Sequence, residues 1–514
     1  MVIKMAKNEV KWGAILSYVL IFLNATYGLF LTPYILGQIG EASYGVYKTI
    51  SAFTSSLMVL DLGLGSTMMR YIAKYRADKE EEKISNFISM GLIQTGVICA
   101  VVGIVTSTLY MFLDEIYSNG LTVSELAEAK KLYVILAMGM IAHIFENLLN
   151  GIISGYNRFT FANGIKVIRL FVRILAVIVL LGIYKNAMTL VLIDLIVTVL
   201  FVFVELMYML RVLKVKIKYT HWDKKVFCES FKYTMLMFLT SIVNQVNLNF
   251  SNVAIGAILS ASAVTVYSMA ALILSMYEQM STAISGVMLP TVTNTLKNDD
   301  EKYTKTMSLA VQVGRIQFIT LGAVLAGFIA LGKPFIQIWL GDGYDNVYTL
   351  VLILLGPALL ELCINVCLSI LRAKNMIGFR TVVITASTVM NLVITLLFTK
   401  RIGYFAPAIG TALSFLFGSV IVMCIYYRKK LGIHMLKLYG GIFKGIWLSI
   451  VISALACWGT TLLVKDAFLK FIIGFVSFVA VYAITLMLFG FNEKEKNVVI
   501  NILNRTKTRM EQND

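Results

Sequence analysis

The sequence predicts an all-α, polytopic membrane protein, and three observations carry that reading. Of 514 residues, 59% are hydrophobic and only 14% charged, with mean hydropathy +0.82, whereas soluble domains carry roughly a quarter charged residues. Apolar runs recur at intervals of roughly 35 residues, each about long enough for a 30 Å hydrocarbon core. Backbone polar groups in lipid must be satisfied within the segment or in a closed barrel, and runs of this length choose helices. Finally, Lys and Arg gather in alternate connecting segments, as the positive-inside rule requires of a multi-pass chain.

Taken in order, helices are predicted at 12–35, 45–68, 86–112, 130–154, 165–184, 187–209, 230–257, 263–288, 308–331, 346–370, 380–399, 404–427, 445–464 and 468–490, about fourteen in all. The basic start, MVIKMAKNEVK, leads into a long apolar run with no small-x-small cleavage site, which reads as a retained first helix. The second run ends in LDLGLGSTMMRYIAKY, Leu60–Tyr75. A carboxylate costs a few kcal/mol in hydrocarbon, so Asp61 should face protein or water there, and Gly63 and Gly65 should let a neighbouring helix come close. With the N-terminus cytoplasmic, 36 of the 45 Lys and Arg fall in inner segments, counting Arg173 and Arg315 with their nearer, inner side. The basic loops Arg70–Lys83, Arg211–Lys232, Lys297–Lys305 and Arg428–Lys444 would lie among anionic headgroups. This accounts for the net charge of +17 without nucleic acid. Both termini are expected to be cytoplasmic, in a cell (inner) membrane, with a short charged tail from Asn492.

The fourth and tenth helices share a pattern, Glu146-x3-Asn150-x3-Ser154 and Glu361-x3-Asn365-x3-Ser369, and spacing of four puts each trio on one helical stripe. A weaker echo pairs Gly37–Tyr47 with Gly256–Tyr267 across a one-residue gap. The offset is six helices, so the expected organisation is two pseudo-symmetric six-helix halves, 1–210 and 211–430, around a central cavity. Two appended helices, 431–490, and a tail, 491–514, complete it. Transporters built from such halves bind substrate between them and rock around it.

Polar residues inside the predicted membrane region supply the candidate sites. The seventh helix reads TSIVNQVNLNFSN. Asn244, Gln245, Asn249 and Asn252 suit either a hydrated lumen or amide contacts between helices. Asp61, Glu146, Glu278 and Glu361, with Asn150 and Asn365, are candidates for coupling to H+ or Na+. Asp194 and Glu205 are further buried acids, and Glu205, near the inner surface, is expected to snorkel. Three cations break the habit of keeping charge outside the membrane: Lys48, Arg173 and Arg315. They are expected to line one cavity and hold an anionic group, with Arg315 foremost, against the alternative that each is a structural ion pair.

Several classes are excluded. No GxxxxGK[ST] loop occurs and no connecting segment is long enough for a nucleotide-binding domain, so energy must come from an ion gradient, substrate flux or a partner. The six Cys lack a CxxC pair and the three His (His143, His221, His434) are far apart, which argues against a metal site. No nucleophile–base constellation marks an enzyme, and no cofactor is implied.

LDLGLGSTMMRYIAKY, ISGYNRFTFAN after the fourth helix, VYSMAALI with VMLPTVTNTL around the eighth, and FIQIWLGDGY before the tenth together resemble the polysaccharide repeat-unit flippases of the multidrug/oligosaccharidyl-lipid/polysaccharide exporter superfamily. The resemblance implies alternating-access export of an undecaprenyl-pyrophosphate-linked oligosaccharide from the inner to the outer leaflet for surface polysaccharide assembly. Partners would then be the lipid-linked substrate, membrane lipids and polysaccharide polymerase machinery. Lipid II flippases and cation-coupled drug antiporters of the same superfamily are the alternatives. The dense acidic N-terminal cavity expected of a drug antiporter is not evident, and the cations fit an anionic head group.

Overall fold

Apolar runs that satisfy their own backbone hydrogen bonds give, in the computed structural model, an all-helical chain. It is described for all residues except 1, 221–234, 236–237, 239–241, 243–244, 247–248, 298–301, 374–375, 377, 465, 494 and 498–514. The first six helical segments are α1 (Val2–Ile39), α2 (Glu41–Ala77), α3 (Glu81–Met111), α4 (Val123–Gly155), α5 (Phe159–Ile183) and α6 (Ala187–Val212). Helical residues 249–258 form α7, and α8 (Ala261–Lys297), α9 (Lys302–Leu340) and α10 (Asp345–Cys363) follow. The last are α11 (Gly378–Ile402), α12 (Phe405–Leu431), α13 (Met435–Phe443 with Ile446–Leu462) and α14 (Ala467–Gly490).

Among the described residues, 11 helices are long and apolar enough to cross a membrane, or up to 12 if the α13 pair, bent by 46°, is one span. The expected fourteen is therefore not established. Most of the seventh segment lies outside the described residues, and α5 is long enough but carries Lys166, Arg169 and Arg173 within about two turns.

The chain divides into two compact units, Met1–Ser268 with Thr388–Pro407, and Met269–Ser387 with Ala408–Asp514. In the first, α4 is the hub: both halves of α2, α3, α5 and α6 pack on it. A reciprocal capping box fixes its start, with Thr122 accepting from the Glu125 backbone and Glu125 accepting from that of Thr122. In the second unit α9 is the hub for α10, both parts of α13, and α14.

The motif at the end of the second helix has a definite shape. After a single 3-10 turn (Met58–Asp61), Leu62 and Gly63 both take left-handed backbone angles, φ 56° and 70°, and the helix restarts at Leu64. Gly63 adopts that conformation without penalty; for Leu62 it costs about 1–2 kcal/mol. The close approach expected of the small residues occurs at Gly65, two residues on: a Cβ there would stand 2.5 Å from the Asn147 carbonyl oxygen, and one on Gly151 2.2 Å from that of Gly65. Broken backbone at membrane depth persists where protein or a cavity, not lipid, receives its polar groups. Here α4 packs against the break, and its Asn147 donates to the Asp61 side chain at 3.3 Å.

Candidate functional site

Helical spacing assembles a polar cavity in the first unit. Tyr47, Ser51, Thr54 and Ser55 recur at intervals of three, four or one along α2, His143 comes from α4, and Asp194 and Thr198 lie one turn apart on α6. Together with Met58, Ile135, Leu136, Met140, Val191 and Leu195 on its apolar side, these side chains line a space of about 190 Å³, with polar partners enough on one wall to hold water. Lys48, two turns into α2, has its ammonium 5.3 Å from the Tyr44 ring centroid and 5.8 Å from that of Tyr47. Arg173 and Asp194 are the other charges close to it, yet no ion pair engages it among the described residues.

Beside this cavity three helices contribute one charged or polar stripe each. On α5 the stripe is Lys166, Arg169 and Arg173; on α4 it is His143, Glu146 and Asn150; on α6 it is Asp194, Thr198 and Glu205. All nine sit at intervals of three, four or seven, so each trio faces one way. They form three rungs. Arg173 grips Asp194 with both arms, Nε to Oδ1 at 2.5 Å and Nη2 to Oδ2 at 2.8 Å, and stacks over Tyr27 at 5.1 Å. Arg169 donates from Nη1 to Glu146 Oε1 and from Nη2 to the Thr198 hydroxyl at 3.0 Å, while Thr198 donates to the Asp194 carbonyl at 2.6 Å. His143 Nδ1 stands 2.8 Å from Glu146 Oε2, and Lys166 donates to Asn150 Oδ1 at 3.3 Å. Glu205 completes the third rung. It is 1% exposed, so it does not snorkel as expected. Three cations on one membrane helix are tolerable because each has an oxygen partner on α4 or α6, which offsets the cost of removing them from water.

The second unit repeats part of this. Glu361 lies 3.7 Å from Arg380 of the following helix, as Glu146 pairs with Arg169 of its following helix. Asn365, one turn on, joins Glu361, Arg380, Ser419 and Tyr427 around a space of about 10 Å³, enough for one water. α10 ends at Cys363, and Ile364 turns the chain before helix resumes over Asn365–Ala373. Glu278 has Glu361 as its charged neighbour.

Arg315 departs from the expectation made for it. It is 5% exposed and makes five hydrogen bonds within the second unit. Nε and Nη2 grip Glu495 at 2.8 and 2.9 Å, Nη1 reaches the carbonyls of Gly441 and Lys444 at 3.2 and 2.9 Å, and Nη2 reaches that of Gly490 at 2.5 Å. Those carbonyls close the first part of α13 and the end of α14, where a cation complements the helix dipole. Its donors hold the C-terminal helices instead of facing an open space.

Of the other candidates, Asp61 accepts from Asn147 Nδ2 at 3.3 Å through Oδ2, and its buried Oδ1 has no partner among the described residues. Asn249 donates to Gln245 Oε1 at 2.8 Å, one turn away, and Asn252 has a buried Oδ1 with no partner among the described residues. Asn244 lies outside the described residues, as does the side chain of Ser369. Lys48, Arg173, Glu146 and Asn150 are thus brought to one network, as are Glu278, Glu361 and Asn365 to another. Sequence reasoning did not assign His143, Lys166, Arg169, Asp194 and Thr198 to the site. The signal was present for the cations, whose three-then-four spacing puts them on one face of α5.

Residues 39–349, more than half the chain, match the family described as polysaccharide biosynthesis protein. No curated protein matches by sequence. Among solved structures, the lipid II flippase MurJ in an inward closed conformation is similar with TM-score 0.71 and 16% identity, over 93% of this chain and 98% of that one. An inward-facing multidrug resistance MATE family transporter of the MOP superfamily is similar with TM-score 0.63 and 17% identity, over 80% and 94%. A MOP superfamily transporter from Pyrococcus furiosus gives 0.55 and 15%, over 82% and 94%.

Proposed function

The chain belongs to the polysaccharide biosynthesis protein family, and from that premise we propose that this multi-pass membrane protein flips an undecaprenyl-pyrophosphate-linked oligosaccharide from the inner to the outer leaflet. Its fold is that of the flippases and transporters it resembles. The observation that best supports the substrate class is Lys48, a cation beside a polar cavity with no carboxylate of its own. Lys48 stands beside the lining residue Tyr47, so a pyrophosphate in the cavity would have it as a near cation. Arg173 can then turn its planar fork from Asp194 to the phosphate oxygens, exchanging one bidentate partner for another. Gln245, Asn249 and Asn252 offer amides suited to sugar hydroxyls.

In this reading the halves 1–210 and 211–430 rock in alternation, a division supported by the Glu–Arg pair common to both repeats. Glu146 and Glu361, with Asp61 and Glu278, are the carboxyls proposed to couple H+ or Na+ to the cycle. The protein would sit in the inner membrane with both termini cytoplasmic and deliver substrate to polymerase machinery. The test is to delete the gene and identify the lipid-linked intermediate that accumulates on the inner leaflet, then to restore export with the wild-type gene. A Lys48→Ala gene should restore it poorly at normal protein levels. Drug accumulation with intact surface glycan would refute the proposal and favour a cation-coupled antiporter, and accumulation of lipid II would favour peptidoglycan-precursor flipping.

A further inference from the structure

The three-rung ladder is balanced in charge but not in hydrogen bonds. Lys166, Arg169 and Arg173 oppose Glu146, Asp194 and Glu205, so with His143 neutral the set carries no net charge. The upper two acids are held by guanidinium groups. Glu205, 1% exposed, is not: its Oε2 is buried with no hydrogen-bond partner among the described residues. The groups around it come from each helix packed on α6. α4 presents Glu146 and Asn150, α5 presents Lys166 and Arg169, and α2 brings Lys48 and Tyr47 only to the far end, at Asp194. Lys166 and Arg169 act on Glu205 through charge at a distance, and among the described residues neither makes an ion pair with it; Lys166 donates to Asn150 Oδ1.

We propose that Glu205 is a proton-binding site of the transporter, and that taking up a proton there gives the ladder one net positive charge. The step forms an O–H bond on the unpartnered oxygen and breaks none in the protein. A proton fits because it needs one oxygen. A sodium ion needs a shell of oxygens, and here Asn150 Oδ1 is committed and two cations already stand close. Glu146 is the carboxylate neighbour of Glu205 and touches His143, which lines the polar cavity. That gives the site a chain of titratable groups to the cavity. Resting on the flippase reading, the consequence is that protonation readies the site for an anionic head group and deprotonation favours its release.

The experiment is infrared difference spectroscopy of the full-length protein in lipid vesicles, stepped from alkaline to acid pH, with the carbonyl stretch of a protonated carboxyl as the readout. The wild type should gain carbonyl intensity with one component that is absent from Glu205→Gln and shifted in midpoint in Glu205→Asp. Exchanging potassium for sodium should leave it unchanged. A titration identical in wild type and Glu205→Gln, or a response of that component to sodium at constant pH, overturns the proposal. If Glu205→Gln does not fold, an unmoved midpoint in Glu205→Asp overturns it equally. None of these outcomes depends on which lipid the protein carries, so failure of the flippase reading leaves the result intact.

Discussion

Removing the Arg315 side chain tests whether that cation serves substrate or architecture. Arg315→Ala strips the donors from Glu495 and from the carbonyls of Gly441, Lys444 and Gly490. The site is largely closed, with Arg315 and Glu495 side chains 6% and 16% exposed. Breaking a buried ion pair by deleting one partner costs about 3–5 kcal/mol, because the remaining charge stays desolvated. Arg315→Lys keeps a charge for Glu495 but loses the fork that reaches three carbonyls, for an expected loss of about 1–3 kcal/mol. The assay is thermal unfolding of the purified full-length protein, followed by tryptophan fluorescence. Trp447 lies two residues beyond Gly445, where a Cβ would meet the Phe489 carbonyl at 2.2 Å, so the probe sits at the junction being weakened. The order should be wild type, Lys, then Ala. A double-mutant cycle with Glu495→Ala should give a coupling of about 0.5–3 kcal/mol. If Arg315→Ala melts with the wild type yet abolishes export, the architectural reasoning is refuted and the cation belongs to the transport path.

Glu146→Gln should destabilise more than Glu361→Gln, because the Glu146 side chain is 9% exposed and tightly held by Arg169, whereas Glu361 is 19% exposed and 3.7 Å from Arg380 beside room for a water. Equal melting temperatures in the same unfolding assay would contradict this. At the helix crossing, Gly151→Val must displace the backbone of Gly65 and should cost about 1–3 kcal/mol or more, whereas Gly139→Ala, with nothing within 4 Å of its Cβ, should be neutral or slightly stabilising. Folded yield on size exclusion reads both, and a well-folded Gly151→Val would show that α2 and α4 are not locked there.

Among the described residues, helices were readable because membrane spans must be long, apolar and internally hydrogen-bonded. α5 shows the limit. Its cations at 166, 169 and 173 break the apolar run, and only the acids on α4 and α6 explain why lipid tolerates them. The repeated Glu stripe was visible, but the Arg partner of each Glu lies 23 or 19 residues away on another helix, a pairing that spacing alone does not encode. Arg315 was singled out as a cation inside a predicted span, where it was expected to face a cavity. Its partner, Glu495, lies in a segment read as a charged tail, and three of its acceptors are backbone carbonyls, which leave no residue signature.

The distribution of partners along α5 also bears on how the chain is made. Each cation at the centre of an isolated span costs about 2.5–3.5 kcal/mol on insertion scales, so α5 alone is a poor candidate to leave the translocation channel. Synthesis runs from the N-terminus. Glu146 and Asn150 are therefore already in place when Arg169 and Lys166 emerge, but Asp194, the partner of Arg173, is not yet made. Insertion of α5 is therefore expected to be easier together with α6, which carries the Arg173 partner Asp194, than alone.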